Sequence, residues 1–101
     1  MANRFEDILV WQEARTLCNE VYRAFSLCRD FAFRDQIQRA VVSVMNNIAE
    51  GTERASDKEL RQFLYIAKGS CGEVRSMTYL ALDQDYVSAT DAVDQGKYPK
   101  C

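Results

Sequence analysis

Ile37-Gln-Arg-Ala-Val-Val-Ser-Val-Met-Asn-Asn-Ile-Ala-Glu-Gly51 is the run whose reading decides the fold. Its apolar residues, Ile37, Ala40, Val41, Val42, Val44, Met45, Ile48 and Ala49, follow the three-and-four rhythm of an α-helix. At 100° per residue they cover an arc of about 200°, wider than the ~100° stripe that one core contact requires. A helix with so much apolar surface needs two neighbours, and the spacing predicts one face inside the monomer and one against another subunit. Val41-Val-Ser-Val is β-prone by itself, but the period around it is helical. The helix is expected from Phe33 to Glu50 and to stop at Gly51, since glycine takes the left-handed conformation at low steric cost. Gln36, Arg39, Ser43, Asn46 and Glu50 fill the remaining polar arc, with Asn47 at its border.

Upstream, Trp11, Ala14, Cys18, Val21 and Phe25 repeat the same rhythm, and Leu17 and Tyr22 widen the stripe. This predicts a first helix that starts near Asp7, capped by its side chain, and ends in the loop Ser26–Asp30. Trp11 opens the stripe and is expected as a core anchor. Downstream, Ser56-Asp-Lys-Glu59 is a capping box, in which Ser56 accepts from the Glu59 amide while Glu59 reaches back to the Ser56 amide. A third helix therefore begins there. Leu60, Phe63, Leu64, Ala67, Cys71, Val74, Met77, Thr78 and Ala81 carry it to about Leu82, a length of ~39 Å at 1.5 Å per residue. Gly69 and Gly72 interrupt it, each costing ~1 kcal/mol relative to alanine, so close backbone approach is expected around them. Ser88-Ala-Thr-Asp91 resembles another helix start, but Gly96 and Pro99 halt it. Three long amphipathic helices with short loops predict an all-α, antiparallel up-down bundle in one domain spanning residues 1–101, with a short or truncated fourth helix.

Composition excludes more than it assigns. The chain has 101 residues, with 13 Lys+Arg against 15 Asp+Glu and no histidine. Its net charge of −2 excludes a polycation, so any nucleic-acid surface has to be local. Without histidine there is no catalytic triad and no His-x-x-x-His metal site. No run approaches the ~20 apolar residues that span a bilayer, and Met1 to Phe5 lead into no secretory apolar core, so a cytoplasmic protein is expected. Cys18, Cys28, Cys71 and Cys101 form no Cys-x-x-Cys pair. Cys18 and Cys71 fall on apolar helix faces and are expected as reduced, buried thiols. No cofactor, metal or small-molecule substrate is expected. Glu50 and Glu53 straddle a helix end with no nucleophile beside them, and no catalytic residue is assigned.

Several blocks occur together in one order: Phe5-Glu-Asp-Ile-Leu-Val-Trp11-Gln, Val21-Tyr22, Gln36-Ile-Gln-Arg39-Ala40-Val-Val-Ser43-Val, Asn47-Ile-Ala-Glu-Gly51, Ser56-Asp-Lys-Glu59, Phe63-Leu, Ala67-Lys-Gly-Ser70, Gly72-Glu-Val and Tyr86-Val. On these the chain resembles the bacterial four-helix-bundle proteins encoded within intervening sequences of large-subunit ribosomal RNA genes. The resemblance covers most of the chain but not Ser88 to Cys101, where the family's long fourth helix is not matched. It implies an up-down bundle that assembles into a ring-like homopentamer. A related branch, the accessory proteins of diversity-generating retroelements, binds nucleic acid and a reverse transcriptase. No enzymatic activity comes with the resemblance.

Two residue sets are candidates for function. On the third helix Lys58, Arg61, Tyr65, Lys68, Gly72, Arg75 and Tyr79 share an arc of about 100°, with no acidic residue among them and Arg54 extending the line from the preceding loop. Cations with interleaved aromatics suit a phosphate backbone and unstacked bases, although a solvated helix face has the same composition. Gly69-Ser-Cys-Gly72 looks like an RNA-clamping Gly-x-x-Gly loop, but that loop lies between helices and this one within a helix. The second set, Arg39, Ser43, Asn46, Asn47 and Glu50, borders the broad apolar arc and is expected to set register between subunits. The expected function is a non-enzymatic, homo-oligomeric scaffold whose basic face contacts RNA or a nucleoprotein partner. The alternative is a protein-interaction bundle that accepts a partner helix and binds no nucleic acid.

Overall fold

The structure, a computed structural model, describes residues 4–87. A single 3-10 turn, Phe5–Asp7, precedes three α-helices: α1, Leu9–Ala24; α2, Phe31–Thr52; and α3, Asp57–Asp83. There is no strand among the described residues, which are all-helical. The expected short fourth helix and the divergent tail lie outside them.

α2 is the central element. Cys18 on α1 donates its thiol to the Val41 carbonyl of α2 at 3.2 Å, and Phe25 packs against Phe33 at a tilt of 56° with ring centroids 5.6 Å apart. On its other flank α2 meets α3 in falling register: Gly51 lies beside Phe63, Ser43 bonds Ser70, Gln36 bonds Glu73, and Asp30, just ahead of α2, bonds Tyr86, just beyond α3. Both neighbours therefore run antiparallel to α2. α1 and α3 do not approach each other closely through their backbones. Much of the wide apolar arc of α2 is thus used within the chain, one side for α1 and the other for α3, while Val42 borders an open groove. Val21, Phe25, Ile37, Val41, Val74 and Ala81 are fully enclosed in the resulting core. A second cluster of Ala14, Val44, Ile48, Ala67 and Cys71 continues it toward the Gly51 end. Trp11 packs at the edge of that cluster, half-buried, with Phe5 edge-on at 5.0 Å and Arg15 over its ring.

Helix ends depart from the sequence reading in instructive ways. Asp7 does not cap α1; it belongs to the 3-10 turn, and Ile8 occupies the cap position with no side-chain bond. α2 begins earlier than expected because Asp30 caps it, its Oδ1 accepting from the Phe33 amide at 3.1 Å. Gly51 does not end α2. It is buried within the helix, where an added Cβ would stand 3.0 Å from the Phe63 Cβ and 3.1 Å from a Leu60 methyl. The glycine therefore serves close packing of α2 on α3, the role that spacing predicts for Gly69 and Gly72. Those two have no described residue within 4 Å of where a Cβ would be. At the start of α3 Ser56 accepts from the Glu59 amide as expected, but the Glu59 carboxylate takes the Ser56 hydroxyl. Cys18 and Cys71 are reduced and buried, and burial pushes the Cys18 thiol up to about 11.

α3 ends in a Schellman motif that the sequence did not announce. The Tyr86 amide donates to the Ala81 carbonyl at 2.8 Å and the Asp85 amide to Leu82 at 3.1 Å. Asp85 supplies the left-handed residue, φ 59°, where glycine is usual. The turn delivers Tyr86 onto Phe33 at 5.2 Å and its hydroxyl to Asp30 Oδ2 at 2.7 Å. Asp30 thus caps α2 with one oxygen and holds the end of α3 with the other. The Tyr86 hydroxyl, and next the Phe33 amide, hold the Asp30 carboxyl below its ordinary value of 3.8.

Two outcomes are expected. Gly69→Ala raises the thermal midpoint, helix propensity contributing up to ~1 kcal/mol in open space. Gly51→Ala lowers it, since neither the Phe63 Cβ nor the Leu60 carbonyl can swing aside; the two melts settle which glycine is under steric constraint. Because the Asp30 value is depressed on folding, its contribution to stability is present above the unfolded value and is lost as pH falls through the lower folded one. Tyr86→Phe therefore destabilises the chain at neutral pH and moves the acid-unfolding midpoint upward, and the gap between the two proteins closes at the acid end of a circular-dichroism titration.

Candidate nucleic-acid interface

The outer face of α3 is built by two rows of side chains. Lys58, Tyr65, Gly72 and Tyr79 stand seven residues apart, and Arg61, Lys68 and Arg75 form a parallel row displaced by three or four. Seven residues are just under two turns, so each row runs along the helix with a rise of ~10.5 Å per step and a drift of ~20°. The buried residues Ala67, Cys71, Val74, Thr78 and Ala81 anchor the opposite face in the core, which orients both rows away from it. Lys58, Arg61 and Lys68 are exposed and Arg75 is half-buried. Tyr65 and Tyr79 are 71% and 66% exposed, unusual for large aromatic rings.

Among the described residues none of these four cations has a carboxylate within ion-pair distance. Of the acids of α3, Glu59 and Glu73 lie off the stripe, Glu59 taken up by Ser56 and Glu73 by Gln36. Asp57 and Asp83, the terminal residues of α3, fall on the stripe's own side and bound it at its ends. Between them four cations without an ion pair among the described residues make a local positive stretch on a chain with a net charge of −2.

Arg54 stands apart from the other candidates. Its guanidinium pairs with Glu50 at 3.3 Å and lies 4.8 Å from the Phe63 ring centroid. It fastens the α2–α3 corner and does not extend the free cation row.

The second set is partly engaged within the chain. Ser70 on α3 donates to Ser43 Oγ at 2.8 Å, and Asn47 donates to the same oxygen at 3.0 Å and to the Ser43 carbonyl at 2.8 Å. Arg39 donates to Gln36, which donates to Glu73 across the seam. Of the set, Ser43 bonds across to α3, Asn47 and Arg39 bond within α2, Glu50 pairs with Arg54 at the corner, and Arg39, Asn46 and Glu50 are exposed. Arg39, Ser43, Asn46 and Asn47 also line a broad, open groove of about 610 Å³, whose α1 wall is Tyr22. The bonds from Gln36 to Glu73 and from Ser43 to Ser70 escape a sequence reading, because polar residues facing each other across a seam leave no periodic signal. Asp30 has a findable signal, as an aspartate three residues ahead of an aromatic near a helix start.

Among the described residues no group of three His, Cys, Asp or Glu side chains is placed to hold a metal ion, and no helix is long and apolar enough to cross a membrane. The family model described as 23S rRNA-intervening sequence protein matches residues 6–97. The search of curated proteins returned no match.

The polar seam carries its own test. Ser70→Ala removes the donor to Ser43 and is expected to cost about 0.5–1.5 kcal/mol, seen as a lower denaturant midpoint with an unchanged slope.

Proposed function

The chain belongs to the 23S rRNA-intervening sequence protein family, and we propose that it acts as a non-enzymatic, homo-oligomeric helical-bundle scaffold that contacts RNA or a nucleoprotein through the basic face of α3. The observation that carries this reading is the set Lys58, Arg61, Lys68 and Arg75: exposed or half-exposed, without an ion-pair partner among the described residues, and interleaved with two exposed tyrosines. Each cation that meets a phosphate releases condensed counterions, so affinity from such a face falls with salt. One copy offers few contacts. A closed oligomer repeats the stripe around its surface and turns weak single contacts into avidity.

Assembly is part of the proposal, with a ring of five as the form the family resemblance implies and a four-helix bundle as its building block. What supports it is apolar and open surface along α3: Leu64, Ile66 and Leu80 are 40%, 51% and 47% exposed, and Gly69 has free space above it. The open groove along α2, with Arg39, Asn46 and Asn47, offers polar groups that would fix the register of a neighbouring copy. The second reading, a bundle that accepts a partner helix without nucleic acid, draws on the separation of the α1 and α3 backbones, which approach α2 closely and not each other among the described residues.

Light scattering coupled to size exclusion, run at low salt with and without total RNA, separates these readings. A multimer whose mass rises with RNA is the expected result. In equilibrium binding, Arg61→Glu with Lys68→Glu is expected to weaken affinity on every RNA tested and to reduce the slope of log K against log salt by about one for each phosphate left without its cation, roughly two in all. An unchanged affinity and slope would reduce the stripe to a solvated face. Capture of a protein partner after nuclease treatment, with no RNA shift, would favour the helix-accepting bundle.

A further inference from the structure

The rows on α3 differ in chemistry, and the difference bears on the kind of nucleic acid that fits. One row, Arg61, Lys68 and Arg75, carries only charge; the other alternates ring and gap, Tyr65, Gly72 and Tyr79. The rings lie ~21 Å apart along the helix, at 1.5 Å per residue, too far to sandwich one base. Each is flanked by cations within one turn: Tyr65 by Arg61 and Lys68, Tyr79 by Arg75. Between them Gly72 removes the side chain at the midpoint, and no described residue stands within 4 Å of where its Cβ would be. A glycine there weakens the helix and returns no packing among the described residues, so the row has a saddle over bare backbone between two ring platforms.

A-form duplex cannot use such a row well. Its bases are stacked on one another, and it presents ribose and phosphate to a protein surface. A single strand can lay its phosphates along the cation row while unpaired bases stack on exposed rings, a mode that tolerates any base because every base has a π-face. Building on the RNA-contact reading above, we propose that α3 is a single-strand track: Tyr65 and Tyr79 stack unpaired bases, Arg61, Lys68 and Arg75 hold the backbone between them, and Gly72 gives the strand room to cross the helix. Asp57 and Asp83 limit the track to the length of α3 between them.

The test is fluorescence anisotropy with a labelled oligouridylate of about a dozen nucleotides and an A-form RNA duplex of the same length, each over a salt series. The intact chain is expected to prefer the single strand. Tyr65→Leu and Tyr79→Leu are each expected to weaken single-strand binding about tenfold, leaving duplex binding and the salt slope unchanged, while Tyr65→Phe and Tyr79→Phe keep wild-type affinity because the ring remains. Gly72→Val is expected to weaken the single strand as well, with a circular-dichroism melt confirming that each variant is folded. Equal affinity for both probes, with leucine variants indistinguishable from wild type and a persisting salt slope, would overturn the track and leave the basic-face reading standing. No salt-dependent binding of either probe would remove both. A change in assembly mass on Tyr65→Leu or Gly72→Val, without a change in RNA affinity, would make this face a protein interface and overturn the track.

Discussion

Everything in this chain depends on α2 having two apolar sides. Among the described residues the backbones of α1 and α3 do not approach each other closely, so α2 is the helix on which both are placed. Ile37, Val41, Val44 and Ile48 are almost completely removed from water, and they provide the surface on which the other helices are arranged. A bundle built on one central helix has little redundancy, since a cavity under Ile37 or Val41 loosens both interfaces together. Polar bonds then select among the ways apolar surfaces could slide. Ser43 with Ser70, Gln36 with Glu73 and Asp30 with Tyr86 pin the α2–α3 register at three heights. The close approach at Gly51 admits no larger residue at a fourth.

How much of this is legible follows from what each signal depends on. Three helices can be read because a helix that buries one face must repeat apolar residues near every 3.6 positions, and Trp11 to Phe25, Ile37 to Ile48 and Leu60 to Ala81 do so. That α2 has more than one apolar face is legible too, and α3 of the same chain packs on one of them. Periodicity counts neighbours without saying which chain supplies them. The glycines exchange roles for a similar reason. Gly51 reads as a stop signal and Gly69 with Gly72 as a packing seam, because sequence shows where a side chain is missing and not what occupies the space. The cap at Ser56 needs only four consecutive residues and reads correctly, apart from which Ser56 group the Glu59 carboxylate takes. The Asp30–Tyr86 bond joins residues 56 positions apart and has no local signature.

The candidate sites divide along the same line. Positions on the α3 stripe follow from helical geometry, so the sequence alone places Lys58, Arg61, Tyr65, Lys68 and Arg75 on one face. Whether a charge is free does not follow from spacing. Arg54 sits in line with the others by number, yet Glu50 and the Phe63 ring hold it. Arg39, Ser43 and Asn47 border an apolar arc by number, and spacing does not show that Ser43 is bonded to Ser70 of α3 while Arg39 stays exposed beside an open groove.

What separates the α3 stripe from an ordinary wet helix face is the cost of its composition. A solvated face gains nothing from bare aromatic rings, which lose no water there, and nothing from a mid-helix glycine, which weakens the helix by ~1 kcal/mol relative to alanine. Lys, Glu and Gln would serve solubility better, with oppositely charged pairs at i and i+4 adding helix stability. Instead Lys58 to Tyr79 carries cations, rings and a gap on that face, while Glu59 and Glu73 lie off it, engaged by Ser56 and Gln36. Among the described residues the core contacts of α3 lie on Ala67, Cys71, Val74, Thr78 and Ala81, so none of them calls for that arrangement. The proposed single-strand track gives the rings and the gap a use that offsets the helix stability they cost.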